Sequence, residues 1–346
     1  MKNKFFIKFT SCVLLLVLLF NLVGCTKKTK KPIERTDFML GTICSIKIYN
    51  KSDESILDKG FDKIKDIENK MSLNIKESDI YKLYELSGKE PLKVSDDTFK
   101  VLKMGKEFGD ISNGHFDITI GPLSKLWNIG TPEAKVPSED ELKETLPLID
   151  YSKLTLDEKN KTAKLENEGM MVDLGGIAKG YAADEVAKVL KENGVKNAII
   201  NLGGNVFTLG KNTNNTEWNI GIQNPFEGRG DAVGSVKVEN KSIVTSGIYE
   251  RYVEENGKKY HHILNPKTGY PYDNEIAGVT IITDESILGD ALSTTVFSLG
   301  LHEGLDFINK RKDAEAIFIT KDNKIYLSNG IKENFKLLDN SFTIEN

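Results

Sequence analysis

The period of the apolar residues changes along this chain, and that change limits the folds open to it. Leu57, Phe61, Ile64, Ile67 and Met71 recur every three or four residues, which predicts a helix over Ser55–Met71. A second helix is predicted over Ser95–Phe108, and Ser138-Glu139-Asp140-Glu141 is a capping-box pattern opening a third. Thr42–Tyr49 alternates as a strand does and is taken as the first ordered element; short strand runs stand at Lys153–Leu156 and Thr162–Leu165. The centre reads strand, glycine pair, helix, strand: Met170–Leu174, Gly175-Gly176, Ile177–Lys191 and Ala198–Leu202. Beyond it the chain is mostly β, with Trp218–Ile222, Val233–Val238, a hairpin turning at Asn256-Gly257 and a strand at Ile276–Thr283. A helix over Asp284–Leu299 and a closing hairpin, Ala316–Thr320 with Lys324–Ser328, complete the pattern. With no internal repeat and no low-complexity linker after residue 33, it implies one α+β unit with two lobes.

The N-terminus bears on the compartment. Lys2, Lys4 and Lys8 lead into an almost unbroken apolar run from Phe9 to Val23. A bilayer span needs about 20 apolar residues and secretory cores are shorter; no stop-transfer pattern follows. Leu22-Val23-Gly24-Cys25 resembles the bacterial lipoprotein box, in which the cysteine receives diacylglycerol and becomes the first residue. An ordinary signal peptide or a short anchor helix is the alternative. On the lipoprotein reading, residues 1–24 are a signal peptide, 25–33 an anchor and lysine-rich tether, and 34–346 the folded domain. The protein is then exported and held at the outer face of the cell membrane by a multiply acylated Cys25, since one chain anchors only marginally. Of three cysteines, Cys12 leaves with the leader and Cys25 carries lipid, so Cys44 has no internal disulfide partner. It alternates with Ile46 and Ile48, as a buried, inert thiol would. Loss of the three leader lysines makes the net charge more negative than −4, and no basic stripe interleaved with aromatics appears. Nucleic acid is therefore excluded as a partner.

Four segments carry candidate chemistry. In Val172-Asp173-Leu174-Gly175-Gly176-Ile177-Ala178-Lys179-Gly180 a strand, a tight turn and a helix N-terminus present backbone N–H groups suited to phosphate. Asp173 can accept from a ribose or ring N–H, and Lys179 can reach a phosphate; glycine turns before helices are also common structural features. Asp290 and Thr294, four apart, share a helix face, and a carboxylate with a hydroxyl makes the sparse oxygen site that Mg²⁺ prefers. The structural alternative is a buried aspartate bonded within its own helix. Adjacent His261 and His262 point to opposite faces of a strand, so one of them can face a cleft as a general base. In Asn113–Pro122, Phe116 can pack on a flat ring and Asp117 can bond to it; the same segment can equally be a turn entering a strand.

Taken in order, these segments resemble the ApbE family of FAD:protein FMN transferases over roughly Thr36 to Leu301. The marks are Met39-Leu40-Gly41-Thr42, Met71-Ser72 with Ser78-Asp79-Ile80, Gly114-His115-Phe116-Asp117, Asp173 through Gly180, Asn201-Leu202-Gly203-Gly204-Asn205, Thr245-Ser246-Gly247, His262 through Gly269, and Asp290-Ala291-Leu292-Ser293-Thr294. The resemblance implies an ApbE-like fold of mixed and antiparallel sheets with helices around a central FAD cleft. It implies Mg²⁺ held by the Gly176 carbonyl, Asp290 and Thr294, with Asp290 and His262 in catalytic positions. FAD would lie against Leu40, His115, Phe116, Asp117, Asp173, Lys179 and Ile263. The implied reaction moves FMN to a threonine or serine hydroxyl of another protein and releases AMP. Implied acceptors are flavin-bearing subunits of NADH:quinone oxidoreductase or Rnf type. Two positions depart from the pattern: Gly176 replaces a larger residue found in many relatives, which a backbone ligand tolerates, and Asn74 stands where relatives often carry an aromatic ring. Asn74 keeps open an FAD pyrophosphatase giving FMN and AMP, beside a non-enzymatic flavin-binding lipoprotein.

Overall fold

The alternating run becomes the strand Thr42–Ile48, with Cys44, Ile46 and Ile48 turned into the core. This is a computed structural model, and it describes residues 31–228 and 230–345; the leader and Cys25 lie outside them. The first described strand is an earlier one, Ile33–Met39, paired antiparallel with Thr42–Ile48. It escapes the apolar pattern because it is an edge strand carrying Glu34, Arg35 and Asp37, with Phe38 71% exposed. Leu40 and Gly41 turn between the two at φ 52° and 67°, the left-handed pair that a two-residue hairpin needs. The Leu40 N–H donates to Glu68 Oε1 at 2.7 Å, which holds a non-glycine residue in that conformation.

Among the described residues nine strands make the central sheet, in the order Ile33–Met39, Thr42–Ile48, Ala198–Leu202, Asn205–Leu209, Ser242–Gly247, Ile276–Thr283, Ala314–Thr320, Lys324–Leu327 and Thr343–Glu345. Every neighbouring pair is antiparallel except the last. One face packs on the helices Ser55–Met71, Ala178–Glu192 and Ser286–Leu299, so Val279, Ile281, Ala316 and Phe318 join their core. The other face meets a three-stranded sheet, Trp218–Gln223, Ala232–Val238 and Phe335–Leu337, through Ile282, Ile317 and Ile319. Period-two alternation therefore sorts one strand's residues between two cores, and Ile276–Thr283 is buried at every position. From Pro32 onward the chain is one compact unit. The nine-stranded sheet runs through it.

Met170–Leu174 is not a strand. It runs extended beside residues 118–121, with a single bridge between Met171 and Ile120, the Asp173 N–H donating to Ile118 O at 2.8 Å and the Gly121 N–H to Met171 O at 3.1 Å. Met170 and Val172 are fully buried, so the apolar run reflects core filling; periodicity cannot separate that from a strand. The chain also continues after Leu299 into a second helix, Leu301–Asn309, and the hairpin near the C-terminus is followed by two further strands.

Two helices cross closely, each supplying a carboxylate to the start of the other. Asp184, on Ala178–Glu192, accepts the Ser286 and Ile287 N–H groups at 2.7 and 2.9 Å. Asp290, on Ser286–Leu299, accepts the Gly180 N–H at 2.9 Å. First-turn N–H groups lack partners within their own helix, so these bonds answer a real deficit. Gly180 makes the approach possible, since a Cβ there would lie 2.3 Å from Ser286 O and 2.6 Å from Ile287 Cα. Gly180→Ala is expected to destabilise the protein by about 1–3 kcal/mol through overpacking against backbone, seen as a lower urea midpoint at unchanged slope; an unchanged midpoint would contradict the close crossing.

Candidate active site

A cavity of about 770 Å³ opens where the hairpin at Leu40, the loop 115–120, the Gly175-Gly176 turn, the strand Ser242–Gly247 and the helix Ser286–Leu299 meet. Its wall includes His115, Phe116, Asp117, Asp173, Gly176, Lys179, His262, Ile263, Asp290 and Thr294. Leu40 is absent from that wall: its side chain packs on the core, while Phe38, Gly41, Thr42 and Ile43 line the cavity around it. Asn74 is exposed and is likewise not a lining residue.

Gly176 and Thr294, far apart in sequence, are neighbours here. A methyl built on Gly176 would lie 3.4 Å from Thr294 Oγ1 and 3.2 Å from the Phe116 ring. Asp290 is 5% exposed at its side chain; its Oδ2 accepts from Gly180, and its Oδ1 lies 3.4 Å from Lys179 Nζ. Lys179 Nζ also donates to Gly175 O at 2.6 Å. The Asp173 carboxylate accepts the Gly175 N–H at 2.8 Å and shapes the turn. Among the described residues no group of three His, Cys, Asp or Glu side chains gathers as a metal cage. The donors at this corner are a carboxylate, a hydroxyl and a glycine-turn carbonyl, hard oxygens of the kind that suit Mg²⁺ with waters completing its shell.

The paired histidines divide as strand geometry predicts. His261 is 8% exposed, and its Nδ1 accepts the Ile263 N–H at 3.3 Å, so Nε2 carries the proton and donates to Tyr272 O at 2.9 Å. Burial lowers its pKa to about 4. His262 lines the cavity. Its Nδ1 lies 3.3 Å from Arg251 O, and a carbonyl only accepts, so Nδ1 bears the proton and Nε2 keeps a free lone pair. Desolvation, then the Arg251 charge, hold its pKa down at about 3, so it is a neutral acceptor at neutral pH.

The other aromatic and acidic residues are more structural than the sequence suggests. Both oxygens of Asp117 are engaged: Oδ1 by the Thr119 N–H and hydroxyl at 2.7 and 2.6 Å, Oδ2 by the Tyr151 N–H at 3.0 Å. Asp117 therefore braces the loop carrying His115 and Phe116, and burial raises its pKa. His115 stacks on Tyr272 at 6.0 Å between ring centroids, and burial lowers its pKa. Sequence reasoning missed Arg251 and Asn205 as lining residues. Arg251 directly precedes a strand whose first residue, Tyr252, pairs with His261, a register the Asn256-Gly257 turn makes foreseeable. Asn205 is buried, with Oδ1 accepting from the Ser286 hydroxyl at 2.6 Å, and only its place in Asn201–Asn205 hinted at it.

The ApbE family model matches residues 40–318. This chain belongs to the ApbE family. A FAD:protein FMN transferase of Klebsiella pneumoniae is 38% identical over 306 residues, covering 88% of this chain and 95% of the relative. One from Treponema pallidum is 32% identical, over 97% of this chain and 99% of its own length. The crystal structure of the ApbE protein of Thermotoga maritima superposes with a TM-score of 0.79 at 31% identity, covering 88% of this chain and 99% of that one. The flavin transferase ApbE of Vibrio cholerae superposes at 0.77 and 26% identity, with the same coverage.

In this ApbE chain the helix pair beneath the site titrates. Burial outweighs the two backbone bonds to Asp184 and raises its pKa from 3.8 to about 6. A carboxyl that holds its proton more tightly when folded stabilises most below the lower value, and that contribution is lost as pH rises to the upper one. Urea midpoints should therefore carry a falling component between about pH 4 and 6 that Asp184→Asn removes, leaving a flatter profile; an unchanged slope would place the proton elsewhere.

Proposed function

We propose that this chain cleaves FAD at its pyrophosphate and transfers the FMN half to a threonine or serine hydroxyl of a target protein, releasing AMP. The observation that carries this reading is the convergence of Gly176, Lys179, Asp290, Thr294 and His262 on one cavity of about 770 Å³, ample for a dinucleotide. The FAD:protein FMN transferase relatives, matched along nearly their whole length, support it.

Mg²⁺ would be held by the Gly176 carbonyl, Asp290 and Thr294, and when bound supplies charge neutralisation on the pyrophosphate and the departing AMP. The protein's own groups do the rest. Lys179 offers an ammonium to phosphate oxygens, Phe116 and Ile263 supply apolar contact, and Asp117 holds the loop of Phe116 in place. His262 Nε2 takes the proton of the incoming hydroxyl as its oxygen bonds to the FMN phosphorus, and AMP leaves with the electron pair of the broken P–O bond. Arg251 O fixes the tautomer that leaves Nε2 free. Two exposed apolar residues at the cavity, Phe38 and Ile43, face each other across their hairpin and give the acceptor protein a greasy edge to meet. Cys25 is read as the lipid anchor at the outer membrane face, beside acceptors of NADH:quinone oxidoreductase or Rnf type. The basic leader and apolar run support export.

The test is incubation with FAD and Mg²⁺, with and without a threonine-containing acceptor. Transfer predicts flavin fluorescence on the denatured acceptor; AMP release independent of acceptor would mean hydrolysis, and stable FAD would mean binding alone. Asp290→Ala should abolish turnover and Thr294→Val should weaken its Mg²⁺ dependence. His262→Ala should slow the chemical step by about a hundredfold; full activity in all three variants would remove the assignment.

A further inference from the structure

A cation already sits on the carboxylate at this corner of the cleft. Lys179 Nζ donates to Gly175 O at 2.6 Å and lies 3.4 and 3.5 Å from the two oxygens of Asp290. Oδ2 is bonded to the Gly180 N–H, so Oδ1 is the oxygen left for a cation, and the ammonium stands beside it. The side chains are 20% and 5% exposed, so solvent screens this pair less than a surface one. A buried carboxylate stripped of its counter-charge is strongly destabilised. A divalent ion between Gly176, Asp290 and Thr294 would draw on that same carboxylate, and two cations repel at such range.

We propose that Lys179 is an exchangeable counter-ion: a divalent cation displaces it from Asp290, and the freed ammonium turns to the pyrophosphate oxygens of the bound dinucleotide. The proposal rests on the metal reading given above. The exchange keeps Asp290 paired at each stage, and it delivers a positive charge to the ligand when the metal arrives. Metal and pyrophosphate then bind with positive coupling, each favouring the other.

Two measurements on the full chain test this. Free Mn²⁺, counted by electron paramagnetic resonance, reports metal affinity, with ADP as the pyrophosphate probe. Lys179→Met should bind Mn²⁺ alone about five- to tenfold more tightly than wild type, and bind ADP in the presence of Mn²⁺ several-fold more weakly. Acetic anhydride labelling of wild type, read by peptide mass spectrometry, should be slow at Lys179, faster with Mg²⁺ and slow again once ADP is added. Mn²⁺ affinity unchanged or weakened in Lys179→Met, or Lys179 labelling indifferent to Mg²⁺, would overturn the exchange while leaving the metal site standing. If Asp290→Ala binds Mn²⁺ as well as wild type, the metal reading itself fails and the exchange with it.

Discussion

Two helix beginnings hold this active site together. The carboxylate of Asp184 takes the orphan N–H groups at the start of Ser286–Leu299, and Asp290 returns a bond to Gly180 in the first turn of Ala178–Glu192. The absent side chain at Gly180 lets the two approach to backbone contact. Everything at the cation corner follows from that crossing. It sets Asp290 against the Gly175-Gly176 turn, brings Thr294 one helical turn later beside Gly176, and leaves Lys179 pointing at the same carboxylate. Asp184 is kept in this role although burial raises its pKa to about 6. Position thus outweighs the penalty for charge.

The rest of the cleft is arranged by the sheet. Its strands end where the cavity opens, and the hairpin Tyr252–Glu255 with Lys258–His261 stands at the rim. Strand alternation sends His261 into the core against Tyr272 O and Phe297, and its neighbour His262 into the cavity. Two chemically identical side chains thereby acquire different duties: one is a satisfied core histidine, the other a neutral acceptor with its tautomer chosen by Arg251 O. Trp127 reinforces the same rim, its indole N–H donating to Gly269 O at 2.7 Å across a small satellite core.

Elements with strong periodicity were legible in the sequence, and Ser55–Met71 and Ile276–Thr283 have the bounds their patterns imply. The capping box at Ser138 forms as its residue types require. Cys44 is buried, with its thiol pKa raised to about 11 by desolvation. What misled was apolar content without a period. Met170–Leu174 looks like a strand because its apolar residues are buried, yet it has one bridge and no ladder. Ile33–Met39 is a strand that looks like a linker, because an edge strand carries charge on both faces. Leu40, read from the sequence as an FAD contact, forms a left-handed turn held by Glu68.

The chain's order of residues was enough to settle the α+β class, the helices Ser55–Met71, Ala178–Glu192 and Ser286–Leu299 to within two residues, the opposite facing of the histidine pair and the shared face of Asp290 and Thr294. All of these depend on the local geometry of helix and strand, which repeats every few residues. Only the tertiary structure decided that Gly176 lies beside Thr294, that Asp184 caps a helix 102 residues away, and that one oxygen of Asp117 is engaged by Thr119 while Tyr151, 34 residues on, engages the other. Those facts depend on which surfaces pack together, and packing joins residues whose separation along the chain carries no periodic trace.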